Sequence, residues 1–561
     1  MKEKAIDNKE RSLNRFIEDA VVNFWNLPAL FDLDGVRYTY SAVGENIEKL
    51  HILFNSINLK KGDKVAICGK NSSDWMIVFL SCLTYGATAV PILHEFNSLS
   101  VTNLVNHSDA KLLFADKAII DKLNIDEMPA LEGGFYITER GMAFSRNENL
   151  THARERLNEL FGEKYPEDFT PDQINYYKDK PDDVALINYT SGSTGTPKGV
   201  VLPYLSLWSN ILYCIEHLKF LKPGDGMVNM LPLGHMYGMV IESLHPFVKG
   251  CRNTYISKVP SPRILLSAFS YVKPKLIITV PLVLEKIIRT NVFPKIQTPL
   301  MKFLLNIPGI SDVIYKNIRE KLINIFGGQL VEIIIGGAPL NEEVEKFLYR
   351  IKFPVTVGYG MTECGPLLAY CPHAGSRPRT VGRIVDRMEV KIDSPDPEKI
   401  PGNILVRGDN VMKEYYKNPD ATADVFSSND GWMNTGDMGT ISPDGMISIS
   451  GRSKTMILGP SGQNIYPEDI EQHLNNIPLV EESLVIELKG KLIALIFPNY
   501  SEAEAKGLTG ESLKKYFNDK LKEVNGKLEN FSRISSFKLM DKEFEKTPKK
   551  SIKRFLYQSH S

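Results

Sequence analysis

The sequence predicts an α/β protein: a large N-terminal portion of doubly wound sheets with a small antiparallel β subdomain at its end, then a small α+β C-terminal domain. Three observations predict it. Buried-strand runs alternate with apolar helices early in the chain, the rhythm of parallel sheet under covering helices. From about residue 385 the runs become short and alternating, with intervening turns rich in Pro, Asp and Gly. Beyond residue 450 a helix, a strand pair and a charged helix make up a unit of about 110 residues, an ordinary domain size. The boundaries read as 1–450 for the N-terminal part, with the antiparallel subdomain at about 385–450, and 451–561 for the C-terminal domain.

In chain order, KVAIC (64–68) reads as a buried strand. Ser72 or Ser73 caps the apolar helix DWMIVFLSCLTYGA, which stops at Gly86, and ATAVPIL returns as strand. Residues 140–182 are polar and charged, and read as surface excursion rather than sheet. Strands recur at KLIITV (275–280), LVEIII (330–335) and PVTV (354–357), each ending near a Gly or Pro cluster. Ligands of such sheets bind beyond the carboxyl ends of the strands. Residues 286–325 mix Lys and Arg with apolar side chains. Ile314, Ile318 and Leu322 fall there at helical spacing, which predicts a helix packed on its own domain rather than a membrane-facing surface. MEVKID, NILVRG and MISISG are the antiparallel strands. Pro467 opens a helix, KGK (489–491) hinges a strand pair, and a charged helix follows near 511–525.

Of 561 residues, 43% are hydrophobic and 24% charged, as in soluble globular chains. Lys+Arg and Asp+Glu both number 67, so no whole-molecule field draws the protein to nucleic acid. The six cysteines show no C-x-x-C spacing, which argues against structural zinc and a disulfide framework and for a reducing compartment. The charged start and the lack of a run near ~18 apolar residues predict a cytoplasmic protein.

The most informative stretch is YTSGSTGTPKGV (189–200), directly after the apolar VALIN. Small hydroxylated and glycine residues let backbone N–H groups and hydroxyls approach a ligand closely, as a polyphosphate requires. Lys198 adds positive charge. The pattern G-x-x-x-x-G-K-[ST] fails, because Pro197 stands at its second Gly and Gly199 follows the lysine. This is a phosphate-cradling loop of another kind.

With GYGMTECGP (358–366), NTGDMG (434–439) and GRSKTMILGPSGQNIYPEDIE (451–471) following in order, the chain resembles the adenylate-forming superfamily of acyl- and aryl-CoA ligases, firefly-type luciferases and peptide-synthetase adenylation domains. The resemblance spans nearly the whole chain. VPLVLEKI (280–287) and SGQNIYPEDIE make it most similar to long-chain fatty acid–CoA ligases.

Carried over, the resemblance implies that Thr190, Ser191, Gly192, Ser193, Thr194, Gly195 and Lys198 surround the β- and γ-phosphates of ATP. Tyr359 would pack on adenine beside Gly337, Ala338 and Pro339, with Gly360 and Met361 in the same ATP-binding stretch. Thr362 would hold the α-phosphate region and Glu363 would ligate Mg²⁺, a task suited to a hard carboxylate. Asp437 would accept from the ribose hydroxyls, assisted by Arg452. Lys454 falls at the family hinge, about which a mobile C-terminal domain swings between two half-reactions. In LPLGHMYGM (231–239), His235 would lie by the carboxylate and the CoA channel; an interior hydrogen-bonded histidine is the competing reading. Gly336 and Gly337 would leave room for the acyl chain. No acidic residue stands between Leu231 and Val240 to neutralise a substrate ammonium, which favours an uncharged tail.

One motif breaks. The family's T-P-x-G-K-I-x-R, whose lysine reaches the substrate carboxylate and α-phosphate, reads here Thr547, Pro548, Lys549, Lys550, Ser551, Ile552, Lys553, Arg554, with Ser551 at the lysine position. Lys550 would take the role through a one-residue shift. Lys549 or Lys553, or a slow adenylation step, are the competing readings. Glu414 in VMKEYYKNP, where many relatives have Gly, reads as a residue of a surface turn.

The resemblance therefore implies a ligase that uses ATP and Mg²⁺ to turn a medium- or long-chain fatty acid into acyl-adenylate and then, with CoA, into thioester. The alternatives are an acyl-AMP ligase serving a carrier-protein thiol, and a nucleotide- or acyl-binding protein impaired at Ser551. Fatty acid, ATP and CoA are the expected partners and nucleic acid is not. Peripheral membrane contact and oligomeric state are set by no motif.

Overall fold

The computed structural model describes residues 11–138, 141–190, 197–258, 261–426, 430–453, 455–458, 464–488, 490–547 and 551–558. Its widest sheet has eight strands, in the spatial order 414–415, 198–203, 184–190, 88–92, 64–68, 110–115, 133–136, 142–145. The middle is parallel and the edges antiparallel. Strand Lys64–Cys68 explains the double winding: Val65 and Ile67 enter one core, Ala66 and Cys68 the other. Alternate side chains of a strand point to opposite faces, so a run apolar at every position needs cover on both.

That cover includes helix Ser73–Tyr85. The hydroxyl of Ser72 accepts from Trp75 N at 3.1 Å, and Gly86 ends the helix at φ 87°, where its N–H reaches Cys82 O and Leu83 O. The cap and stop lie where the sequence places them. Trp75 is fully buried, in the same core as Tyr40, Phe247, Tyr255 and Phe269. This core also joins two further sheets. One is Gly226–Asn229, Arg252–Tyr255 and Pro28–Asp32 in parallel, with Arg37–Thr39 antiparallel at its edge. The other is Leu276–Thr279, Glu332–Ile335 and Val355–Val357, all parallel.

The antiparallel subdomain comprises Met388–Asp393, Gly402–Gly408, Met433–Ile441 and Ile447–Arg452. Beyond it, helix Pro467–Asn475, the hairpin Val480–Leu488 and Lys491–Pro498, a parallel strand Ser536–Leu539 and helix Gly510–Asn525 share a core of their own around Leu474, Val485, Leu513 and Phe517. Helix Pro467–Asn475 also touches the N-terminal part. Arg379 lies 3.6 Å from Asp469 and bonds Gln472, and Asn341 bonds Asn476.

Three readings need correction. Residues 140–182 are not all excursion: Met142–Ser145 is an edge strand paired with Gly133–Tyr136. The glycines of that neighbour make the space, since a Cβ on Gly134 would fall 2.2 Å from the Phe144 ring. Glu414 belongs to a short strand rather than a surface turn. Helix Ile310–Ile325 buries Leu322 and half-buries Ile318 against the core, but its first turn stands in solvent. Among the described residues, no helix is long and apolar enough to cross a membrane.

Candidate functional site

Thr190 ends one strand and Lys198 begins the next, and the two are register partners across the hairpin. Residues 191–196 between them, which include Ser191, Gly192, Ser193, Thr194 and Gly195, lie outside the described residues. The Nζ of Lys198 sits 4.8 Å from the centroid of the Tyr415 ring. Tyr415 is held there by strand pairing with Val200, and its hydroxyl donates to Glu363 Oε1 at 2.8 Å. Lys198, at one end of the candidate phosphate loop, and the candidate metal ligand therefore meet through one phenol.

Glu363 lies in the short turn Thr362–Cys364. Met412 N donates to its carbonyl at 2.8 Å, and the turn closes through Gly365 at φ 63°. A Cβ on Gly365 would stand 2.2 Å from Ser206 Oγ. Glycine is needed here for both conformation and space. Gly360 and Met361 precede the turn, with Met361 N donating to Pro366 O at 2.9 Å. Burial, then the Glu363 charge, push the Tyr415 phenol well above its ordinary range, so it remains a donor. A hard carboxylate oxygen can ligate a divalent ion, and a lysine ammonium across one phenol from it can meet the phosphate oxygens that such an ion carries.

A second cluster stands at Tyr359, whose hydroxyl donates to Asp437 Oδ2 at 2.6 Å. Arg452 Nε lies 3.5 Å from Asp437 Oδ1, the two residues facing each other across paired strands. Asp437 is in mid-strand. The ladder slips at Met438/Gly439 and Gly436 takes φ 74°, an irregularity of the kind that re-aims a side chain. Its side chain is 13% exposed, against 69% for that of Arg452. Burial raises the Asp437 pKa, opposed by the Arg452 charge and the Tyr359 hydrogen bond.

The GGAP run follows strand Glu332–Ile335, with Gly336 buried, Gly337 at φ 84°, and Ala338 and Pro339 exposed. Gly358 N donates to Ile335 O at 2.8 Å, so GGAP and GYG leave adjacent parallel strands at their carboxyl ends. A Cβ on Gly336 would stand 3.0 Å from the ring of Tyr237, whose hydroxyl donates to Ile334 O at 3.1 Å. Tyr237 opens a π-helical stretch, Tyr237–Leu244. His235 is half-buried just before it, its N–H on Pro232 O at 3.0 Å. Asn188, on strand Val184–Thr190, donates to Gly234 O at 2.9 Å. The segment thus ties strand Val184–Thr190 to strand Glu332–Ile335.

Sequence reading missed Tyr415, Tyr237 and Glu242. Glu242 is fully buried, and its carboxylate accepts the N–H groups of Met230 and Leu231, both at 3.0 Å. The sequence signals were faint: Tyr415 sat in VMKEYYKNP, where only Glu414 drew notice. Lys454 and Lys550 lie outside the described residues. Ser551 is exposed, and its carbonyl accepts from Thr547 N at 2.8 Å. Lys553 pairs with Glu545 at 3.4 Å, inside the C-terminal domain.

The match to AMP-binding enzymes over residues 17–416 places this chain in that family, and residues 454–559 match the AMP-binding enzyme C-terminal domain. The chain is 28% identical over 510 residues to Long chain acyl-CoA synthetase 3 of Arabidopsis thaliana, covering 84% of this chain and 74% of that one. It is 27% identical over 529 residues to Long-chain-fatty-acid–CoA ligase 4 of Saccharomyces cerevisiae, covering 85% and 74%. Among solved structures, ATP-bound MatB from Rhodopseudomonas palustris aligns at TM-score 0.75 and 21% identity over 98% of both chains. The anthranilate CoA ligase AuaEII with anthranoyl-AMP aligns at TM-score 0.78 and 19% identity, over 97% of this chain and 96% of that one. The likeness to these two establishes the shared fold.

Ribonucleotide affinity should fall on acidification, beginning at a higher pH than an exposed carboxylate would give. If Asp437 holds the ribose, its ionised form is the one that would accept from two hydroxyls, and its folded pKa is raised. For the fold the sign is reversed: ionised Asp437 costs stability at neutral pH, and the cost fades as pH drops through the raised value. Tyr359→Phe removes a hydrogen bond that lowers the pKa, so the midpoint of ATP affinity against pH moves upward. Calorimetric titrations across pH 4–8 measure it; an unmoved midpoint refutes the assignment.

Proposed function

We propose that the chain is a fatty acid–CoA ligase dependent on ATP and Mg²⁺, acting on a medium- or long-chain acid. The observation that carries this reading is the line Lys198, Tyr415, Glu363, which joins the phosphate loop to the metal-ligand candidate. Tyr359, Asp437 and Arg452 supply the nucleoside end. The names of the Arabidopsis and yeast relatives support a long-chain acid as substrate and CoA as acceptor.

The substrate carboxylate attacks the α-phosphorus of ATP, and pyrophosphate leaves with the electrons of the broken P–O bond. CoA thiol then attacks the acyl carbon, loses its proton, and AMP departs. Bound at Glu363, Mg²⁺ would offset charge on the phosphate oxygens. Lys198 adds a cation from the loop, Asp437 orients the ribose, and Thr362 lies beside the reacting phosphate; together they supply positioning and charge neutralisation. His235 and Gly336 border the acyl pocket. An uncharged tail is supported by Glu242, whose carboxylate is turned onto backbone N–H groups. Residues 1–450 form the AMP-binding and acyl-binding domain, and residues 451–561, which add Arg452 and Lys550, reorient about Lys454 between steps, in the cytoplasm.

Ser551 favours a second reading, a binding protein with impaired chemistry. Fatty-acid-dependent pyrophosphate release across a chain-length series separates the two. The ligase releases pyrophosphate only with acid and Mg²⁺, and its acyl-adenylate yields thioester when CoA is supplied. ATP binding without release supports the impaired protein. Transfer to a carrier-protein thiol but not to CoA would replace the acceptor.

A further inference from the structure

Beyond helix Pro281–Asn291, large apolar side chains stand in water. Helix Pro299–Leu304 (PLMKFL) buries none of its residues. Leu300 and Phe303, one turn apart, are 69% and 65% exposed. After residues 305–309, helix Ile310–Ile325 opens with Ile310 and Val313 at the same spacing, 42% and 60% exposed. Single exposed leucines are ordinary, but a succession of them on consecutive helices marks an interaction surface.

The charge of this excursion says what covers it. From residue 286 to residue 321 seven Lys and Arg stand against two acids, Asp312 and Glu320, in a chain whose 67 cations balance 67 anions. Lys295 and Lys302 flank Leu300, and both are exposed. Basic residues around exposed Leu and Phe on short helices are the composition of a segment lying in a lipid headgroup layer. A second copy across a two-fold axis would bring this cationic face against itself.

We propose that residues 286–321 form a face that docks on an anionic bilayer, with Leu300, Phe303 and Val313 entering below the headgroups and the lysines meeting lipid phosphates. This is independent of the ligase reading, although it would set a fatty-acid-using site beside membrane-dissolved acid.

Sedimentation of the full chain with vesicles tests it, comparing phosphatidylcholine alone with phosphatidylcholine mixed with phosphatidylglycerol. The protein binds the mixed vesicles, less so as salt rises. Binding weakens roughly tenfold or more in Leu300→Ser/Phe303→Ser/Val313→Ser and in Lys295→Glu/Lys302→Glu. Thermal midpoints of both variants stay at the wild-type value, since the side chains are exposed. Absence of wild-type binding, or equal binding by the variants, overturns the proposal. So does a wild-type dimer in vesicle-free buffer that the triple serine variant converts to monomer, because that assigns the face to a second copy.

Discussion

Glu363→Gln lowers fatty-acid-dependent pyrophosphate release by about 10²–10³-fold, the loss expected when one charged contact to a reacting phosphate is removed. The substitution keeps shape and volume, and the amide oxygen still accepts from Tyr415, so the thermal midpoint moves little. What disappears is the anion. The apparent affinity for Mg²⁺ falls together with kcat, while affinity for metal-free ATP, which the proposed function assigns to Asp437 and residues 190–198, is nearly unchanged. Tyr415→Phe leaves the carboxylate and removes one donor, so its loss is smaller. Release by Glu363→Gln within about twofold of wild type would remove Glu363 from the metal site.

Legibility in the sequence followed the distance over which each feature is decided. Ser72 and Gly86 bound a helix through contacts within four residues; the sequence offers Ser72 or Ser73 as cap and Gly86 as stop, and the structure takes Ser72. Strand Lys64–Cys68 declared itself by apolar side chains at successive positions, which the two cores on its faces explain. Met142–Ser145 did not. It is short, its flanks are polar, and its place is made by the missing side chains of Gly133 and Gly134 on another strand.

The candidate site divides in the same way. Thr190 with Lys198, and Tyr359 with Glu363, were visible as candidates in compact glycine-rich motifs, and Asp437 with Arg452 was visible as a candidate pair, which the strand ladder brings together. Tyr415 was not, because its role arises from pairing with Val200, far back in the chain. Tyr237 and Glu242 were hidden by a π-helical stretch, whose wider turn no period of 3.6 residues reveals. In helix Ile310–Ile325 the apolar period was correctly seen, but period alone cannot say whether protein or something else covers its first turn.

Lys550→Ala should slow adenylation by about 10²–10³-fold and leave thioester formation from supplied acyl-adenylate unchanged. The basic tail contains several cations, and carboxylates of the C-terminal domain engage most of those described. Lys546 pairs with Glu482 and Glu543, Lys553 with Glu545, and Arg554 with Glu468 and Glu471. A cation held by a neighbouring carboxylate is ill suited to neutralise charge developing on a distant phosphate. Lys549 and Lys550 are left as candidates, and Lys550 adjoins the motif's lysine position, where Ser551 is too short and uncharged to serve. Lys550→Ala/Ser551→Lys moves the ammonium one residue along, into the spacing T-P-x-G-K-I-x-R, and recovers pyrophosphate release. Full release by Lys550→Ala alone would mean that another cation, or none, does this work; a double variant as slow as the single one would mean that a lysine at position 551 does not serve the phosphate.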